Sequence, residues 1–244
     1  VEPYAGGAGA AVGLLVTGEV HKIAINDLDP AIYAFWRAVT ESPEEFSERT
    51  RGAKLNVREW RRQRRIYTNC DRSSHLDLGF ATFYLNRTNH SGILNGGPIG
   101  GLEQTGDYKI DARFNKVALL ERLRLIALHA GKITVLNEDG CDVIERHAGD
   151  PSTLIYADPP YFDKAGTLYM NAFDRAQHEA LAAKLNSLAS SRWLLTYDNV
   201  PQVDELYADR RRQTFSLSYS AHRVMRATEA MVFGDGLVVP WLPR

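Results

Sequence analysis

The chain has 244 residues, 44% of them hydrophobic, and a formal net charge of −1. That length holds one large domain, or one domain with a sizeable insertion, and the balance is that of an ordinary globular protein. No apolar run approaches the roughly 20 residues needed to cross a bilayer and no secretory signal is visible. Cys70 and Cys141 lie far apart, with no CxxC, HxH or HExxH spacing, so a structural metal is not expected and a reducing cytoplasmic compartment is.

The first residues read as the end of a strand entering a glycine-rich turn, so a further segment is expected ahead of Val1. Gly6-Gly7-Ala8-Gly9-Ala10 then leads into a short apolar helix carrying Ala11, Val12, Leu14 and Leu15. Ile23-Ala24-Ile25 predicts a buried strand ended by Asn26-Asp27. Asp29 followed by Pro30 marks a helix start, and Ile32, Phe35, Trp36 and Val39 give that helix one apolar face.

From about Thr40 to Gly131 the pattern changes. An Arg-rich helical stretch comes first, with Arg51, Lys54, Arg58, Arg61, Arg62, Arg64 and Arg65 between Arg49 and Arg72. A basic patch inside a neutral chain suits a surface that grips phosphates, although a solvated helix face reads the same way. Asn86 to Gly106 is rich in Gly and Asn with few regular signals. Asn115 then caps a helix to about His129, lined by Leu120, Leu123, Ile126 and Ala127.

Alternation returns afterwards. Ile133 to Leu136, Leu154 to Ala157, Trp193 to Tyr197 and Ala230 to Phe233 are strand candidates. Asp174 and Gln177 form a capping box ahead of Leu181, Leu185 and Leu188, and the tail after Thr214 predicts an antiparallel hairpin. Strands alternating with helices predict a doubly wound α/β sheet, with residues 1–40 and 131–244 in one domain and 41–130 as a mainly helical insertion.

Three groups fall at the carboxyl ends of strands, where open α/β sheets bind ligands. The loop Glu2-Pro3-Tyr4-Ala5-Gly6-Gly7 with Gly9 and Ala10 lets backbone approach a ligand closely, though such turns serve nucleotides, flavins and S-adenosylmethionine alike. Asp27 follows about 20 residues later, where an acid accepts from ribose hydroxyls. It could instead cap the next helix, but Asp29 is better placed for that. Turn and acid together favour a cofactor containing adenosine, and no Gly-Lys-Ser/Thr follows to make a Walker loop. The third group is Asp158-Pro159-Pro160-Tyr161 after Leu154-Ile155-Tyr156-Ala157. It could be only a stiff turn. Chemically, a carboxylate and a proline-fixed carbonyl form an acceptor pair for the two hydrogens of an exocyclic amino group, and Tyr161 offers a face for stacking.

Along almost its whole length the chain resembles the Dam-like adenine-specific DNA methyltransferases. Glu2-Pro3-Tyr4-Ala5-Gly6-Gly7 is similar to their E-P-F-x-G-G/S cofactor loop. Asn26-Asp27-Leu28-Asp29 with Tyr33, Phe35 and Trp36 is similar to their second motif, and Phe83-Tyr84-Leu85-Asn86-Arg87-Thr88 to their F-x-L-N-R-T/F signature. Asp158-Pro159-Pro160-Tyr161 matches their D-P-P-Y loop. Tyr169, Phe173 and His178 fall where the family has an aromatic pair and a histidine.

The resemblance implies a Rossmann-like methyltransferase sheet, S-adenosylmethionine as donor, double-stranded DNA as partner and a flipped adenine as target. It places Asp158, Pro159, Pro160 and Tyr161 in catalysis. The donor is expected against Glu2 through Gly7, Gly9, Ala10, Asp27, Leu28 and Asp139, the last beside its adenine. Arg61, Arg62, Arg64 and Arg65 are expected on phosphates, and Arg87, Thr88 and Asn89 on a DNA-facing loop. A bacterial or phage-encoded monomer is expected, without a membrane.

Two departures stand out. The family's Gly-Gly-Lys segment and first helix have no counterpart here, and Gly96 to Gly101 differs from the usual run after the N-R signature. Two alternatives stay open: methylation of the cytosine 4-amino group or of RNA, and a cofactor- or DNA-binding module without turnover. Neither a recognition sequence nor a companion restriction enzyme is legible.

Overall fold

The computed structural model of the protein describes residues 1–72, 74–162, 173–188, 190–221 and 223–239. In chain order its elements are α1 (Gly9–Val16), β1 (Ile23–Asn26), α2 (Pro30–Glu41), α3 (Pro43–Gly52), α4 (Val57–Asn69), α5 (His75–Thr88), α6 (Lys116–Leu128) and β2 (Ile133–Leu136). There follow α7 (Gly140–Ala148), β3 (Ile155–Ala157), α8 (Arg175–Ser187), β4 (Trp193–Asp198), α9 (Pro201–Leu206), β5 (Arg211–Ala221) and β6 (Arg223–Phe233). The chain is therefore mixed α/β, and among the described residues no helix is long and apolar enough to cross a membrane.

Packing divides the chain into two units, one of Val1–Ala11, Ala24–Asp27 and Glu138–Arg244, the other of Val12–Ile23 and Leu28–Asn137. This differs from the division expected from sequence: α2 and β2 pack with the inserted helices, because their apolar faces meet helices of that unit.

In the first unit β3, β4, β6 and β5 lie side by side in that order. β3 and β4 are parallel, with Ala157 opposite Leu195, whereas β6 runs antiparallel to β4 and sets Glu229 opposite Asp198. Beyond β3 the sheet continues through the chain's extended first residues. Val1 N donates to Leu154 O (2.7 Å) and Tyr156 N to Val1 O (2.8 Å), while Glu2 exchanges 2.9 Å bonds with Ala24 and Asn26. The resulting order is β1, residues 1–2, β3, β4, β6, β5.

β3 and the first half of β4, Trp193 to Leu195, are short apolar runs, as expected of strands whose two faces are covered. Ile155, Trp193, Leu195, Tyr197, Leu181 and Leu185 are fully buried in one core, each contributing roughly 1.5–3 kcal/mol of burial free energy. α8 begins where expected, at the capping box in which Asp174 accepts from Gln177 N and Gln177 from Asp174 N. The expected hairpin is longer than its signal, with Arg211 paired to Phe233 and Ala221 to Arg223. The predicted strand Ala230 to Phe233 is its last part.

The second unit is built around α5. Leu78 to Leu85 are all buried, so this helix is enclosed on every side rather than amphipathic. It crosses α2 so closely at Gly79 that a Cβ there would sit 2.5 Å from Ala34 O. Phe35, Phe46, Phe80, Phe83 and Phe114 make a chain of edge and stacked ring contacts around that crossing. Asp29, Asn56 and Asn115 cap α2, α4 and α6 through their side chains.

The stretch expected to lack regular structure is nevertheless built. Asn86 to Thr88 complete α5. After them, Gln104 Nε2 donates to Ile99 O (2.7 Å) and Gln104 Oε1 accepts from Ile110 N (2.9 Å), closing a compact loop.

Candidate active site

The first unit holds all three predicted groups, each just past the carboxyl end of an extended segment. The chain turns at Gly6, whose φ of +46° suits glycine, and Ala8 also takes a positive φ of 45°. Asp27, at the end of β1, accepts from Gly6 N at 2.9 Å and so holds the turn against the strand end. Asn26 adds to this frame, donating to Pro3 O (2.8 Å) and Glu138 O (3.0 Å) and accepting from Glu138 N. A Cβ on Gly6, Gly7 or Gly9 would meet nothing within 4 Å. The turn therefore borders open space.

Glu2 lies beneath this turn, 4% exposed, accepting from Ala11 N at 2.9 Å. Burial raises its carboxyl pKa to about 7, and the nearby negative charge of Asp158 adds to the rise, while the Ala11 amide opposes it. Pro3 and Ala5 are buried and Ala10 partly so. Tyr4 packs edge-on to Phe173, with ring centroids 5.6 Å apart, and a Cβ on Gly140 would fall on its ring. Asp139 Oδ1 accepts from Cys141 N (2.8 Å), which makes it the N-cap of α7. Leu28, the first residue of the next segment, is exposed.

The catalytic-loop candidates follow β3 directly. Pro159 is buried, Pro160 and Tyr161 are half-buried, and Asp158 reaches solvent just past the end of β3. Thr196 Oγ1, from β4, donates to Asp158 Oδ1 at 2.7 Å. Partial desolvation raises the Asp158 pKa. The hydroxyls of Thr196 and Tyr161 oppose that rise, and the negative charge of Glu229 reinforces it. Tyr161 OH donates to Glu229 Oε2 (3.1 Å), and Phe162 N donates to Asp198 Oδ1 (3.2 Å). Strands β4 and β6 thus tie down the loop on two sides.

Aromatic rings pack beneath the loop. Phe162 stacks on His178 with centroids 3.6 Å apart, and His178 Nδ1 lies 2.5 Å from Tyr197 OH. Phe173 meets His178 edge-on, so Tyr4 of the glycine loop and Phe162 of the catalytic loop share one ring cluster. Burial lowers the His178 pKa, which favours a neutral ring suited to stacking. Tyr169 lies outside the described residues.

In the second unit, Arg61 and Arg65 on α4 are exposed and line an open groove with Arg58, Trp60, Leu102 and Glu103. Arg62 pairs with Glu59 at 3.2 Å, and Arg64 donates to Leu94 O at 2.6 Å. Arg87, Thr88 and Asn89 do not form the DNA-facing loop expected from sequence. Arg87 and Thr88 lie in the last turn of α5, and Asn89 is its C-cap. Arg87 donates twice to Arg113 O (3.1 and 2.9 Å), and Thr88 Oγ1 donates to Tyr84 O. Asn89 accepts from Trp60 Nε1 (2.7 Å) and donates to Ile93 O. Thr88 and Asn89 are fully buried. They brace this unit because a helix end without internal partners would be costly.

Sequence reasoning missed Thr196, Asp198 and Glu229. The available signal was two polar residues, Thr196 and Asp198, in the otherwise mostly apolar β4, and an acid, Glu229, in β6 that the strand register sets opposite Asp198.

Comparison with known proteins completes the picture. No curated protein matches the chain. The family model of the D12 class N6 adenine-specific DNA methyltransferases matches residues 1–225, which include both the glycine turn and the Asp-Pro-Pro-Tyr loop. That coverage leaves neither the cytosine nor the RNA alternative standing: the chain belongs to the D12 class N6 adenine-specific DNA methyltransferases, enzymes that methylate adenine in DNA.

Proposed function

We propose that the chain transfers the methyl group of S-adenosylmethionine to the 6-amino nitrogen of an adenine flipped out of double-stranded DNA. The sheet that supports this chemistry is, in this reading, Rossmann-like. The observation that carries the proposal is Asp158: a solvent-reaching carboxylate on a proline-stiffened strand end, fixed at one oxygen by Thr196, in the same unit as the glycine turn and Asp27.

The residues around the turn suit the donor. Gly6, Gly7 and Gly9 border open space where a ligand backbone-to-atom approach is unobstructed, with Glu2, Pro3, Tyr4, Ala5 and Ala10 shaping the loop. Asp27 is the candidate acceptor for ribose hydroxyls, with Asp139 the candidate beside the adenine. S-Adenosylmethionine supplies an activated methyl group on a positively charged sulfur. No covalent enzyme intermediate is then needed, and the protein's task is positioning.

The lone pair of an adenine amino group is delocalised into the ring, which makes the nitrogen a weak nucleophile. Asp158 accepts one amino hydrogen and the Pro159 carbonyl the other, favouring a nitrogen whose lone pair can attack. Pro159 and Pro160 hold that carbonyl in place beforehand, so little reorganisation accompanies reaction. Tyr161 stacks on the base and offsets part of the few kcal/mol spent on unstacking. On gaining a methyl group the nitrogen must shed a proton. Asp158 stands ready to receive it, and its raised pKa makes it a better base.

Arg61 and Arg65, with Arg58, are the candidate phosphate contacts, while Arg62 and Arg64 are partly committed to protein partners. The enzyme acts as a monomer in the compartment that holds the DNA. A transfer assay with radiolabelled donor and duplex DNA tests the proposal. Labelled 6-methyladenine should form with the wild-type chain, and Asp158→Ala should abolish it without loss of folding. Full transfer by Asp158→Ala would refute the role given to this loop.

A further inference from the structure

We propose that Thr196 is a positioning residue for methyl transfer, holding the Asp158 carboxylate in one orientation through a directed chain of hydroxyls that begins at Tyr156. The role rests on the reading that Asp158 meets the target amino group.

The direction of the chain follows from counting protons. An ionised carboxylate only accepts, and a threonine hydroxyl carries one hydrogen. The 2.7 Å contact between Thr196 Oγ1 and Asp158 Oδ1 therefore uses the threonine's hydrogen. Tyr156 OH lies 3.2 Å from the same Thr196 oxygen, and it must then be the donor in that pair. The chain runs from Tyr156 to Thr196 to Asp158, and each member is set by the next.

This arrangement does two things for the carboxylate. Rotation about the terminal torsion of an aspartate is soft, with a broad two-fold profile, so an unheld group would sample many orientations. Thr196 is 5% exposed and sits inside β4, paired with Met231 of β6 and one residue past the last pair with β3, so its hydroxyl is a fixed point. Committing Oδ1 to that point fixes the plane of the carboxylate and thereby the direction in which Oδ2 faces. A charge-assisted bond of this kind is also stronger than a neutral one and favours the ionised acceptor.

Purely structural work does not account for the threonine. The β4 position is covered by neighbouring strands and would accept valine, whose shape is nearly the same and whose β-propensity is high. A hydroxyl there is useful only for the bonds it makes, and both lead to the loop strand.

The charged and titratable groups facing Asp158 are Glu229 on β6, Tyr161 on the loop, Tyr156 on β3 and Glu2 on the extended chain start. None of them changes in a Thr196 variant, so a shift in pH profile relative to wild type reports the lost hydroxyl.

The experiment compares wild type, Thr196→Val, Thr196→Ser, Tyr156→Phe and Asp158→Ala in steady-state transfer from S-adenosylmethionine to duplex DNA. Thermal unfolding of each variant is followed alongside. Thr196→Val is expected to lower kcat about 10- to 100-fold, the loss that a charge-assisted hydrogen bond represents, with KM for both substrates nearly unchanged. Its acid limb in kcat should move to higher pH. Thr196→Ser should restore most of the rate. Tyr156→Phe removes the donor to Thr196 without touching β4, and is expected to lower kcat about threefold at constant KM.

If Thr196→Val fails to fold, Thr196→Ser and Tyr156→Phe decide: wild-type kcat in Tyr156→Phe overturns the chain. A folded Thr196→Val with wild-type kcat and pH profile, beside an inactive Asp158→Ala, overturns the role of Thr196 alone. An active Asp158→Ala overturns the reading of the loop itself, and the two failures are thereby told apart.

Discussion

Glu2→Gln should make the protein more stable above neutral pH and leave it unchanged in acid. Glu2 is 4% exposed, and its folded-state pKa stands at about 7 against an ordinary 4.5. Between those values the folded protein holds a proton that the unfolded chain has released. Stability therefore falls as pH rises through that window, and the loss is complete above about pH 7. A shift of this size corresponds to roughly 3 kcal/mol. Because the group is buried, solvent screening reduces the figure little. Glutamine keeps an oxygen to accept from Ala11 N and cannot ionise. Urea unfolding of both proteins at intervals from pH 5 to pH 8 measures the effect. The variant's advantage should be about 1 kcal/mol at pH 5 and grow to roughly 3 kcal/mol by pH 8. Asp158 also has a raised pKa, but it is present in both proteins and largely cancels in the difference. A constant difference across this range, or one that grows toward acid, would refute the assignment of Glu2 as a buried, reluctantly charged carboxylate.

Two further outcomes are expected. Gly79→Ala places a methyl group 2.5 Å from Ala34 O and 2.8 Å from Phe35 Cα, with backbone on the opposing side that cannot swing away. Forced separation of α2 and α5 should cost about 3 kcal/mol, read as a lower urea midpoint. The same loss in Gly52→Ala, where a Cβ meets nothing, would show that spacing at the crossing is not the cause. Arg61→Ala with Arg65→Ala should weaken duplex binding and reduce the slope of log K against log salt by about 2, one phosphate contact for each arginine. An unchanged slope would move the phosphate contacts away from the α4 groove.

Much of the first unit was legible because its signals are local. The strand ending in Asp27, the turn around Gly6 and the strand leading to Asp158 are each set by neighbouring residues, and the cap at Asp174 acts within one helical turn, as do those at Asp29 and Asn115 in the second unit. The segment at Arg87 was misread because its character depends on distant partners. Polar residues after an aromatic run look like a surface loop, yet the carbonyl of Arg113 and the indole of Trp60 turn them inward. The boundary between units was also illegible in advance, since the side on which α2 packs is decided by the small surface at Gly79.

By itself the sequence determined the chemistry on offer: a glycine turn, an acid at the next strand end, and a carboxylate followed by two prolines and a tyrosine. Those residues carry their geometry with them, in backbone freedom at Gly6 and backbone rigidity at Pro159 and Pro160. Only the tertiary structure decided how Asp158 is held. Thr196 and Glu229 lie 38 and 71 positions further along the chain, and only strand pairing sets Thr196 Oγ1 against Asp158 and Glu229 against Tyr161. A hydrogen bond is lost over a fraction of an ångström, so it is the register between strands, which no local pattern encodes, that fixes the site.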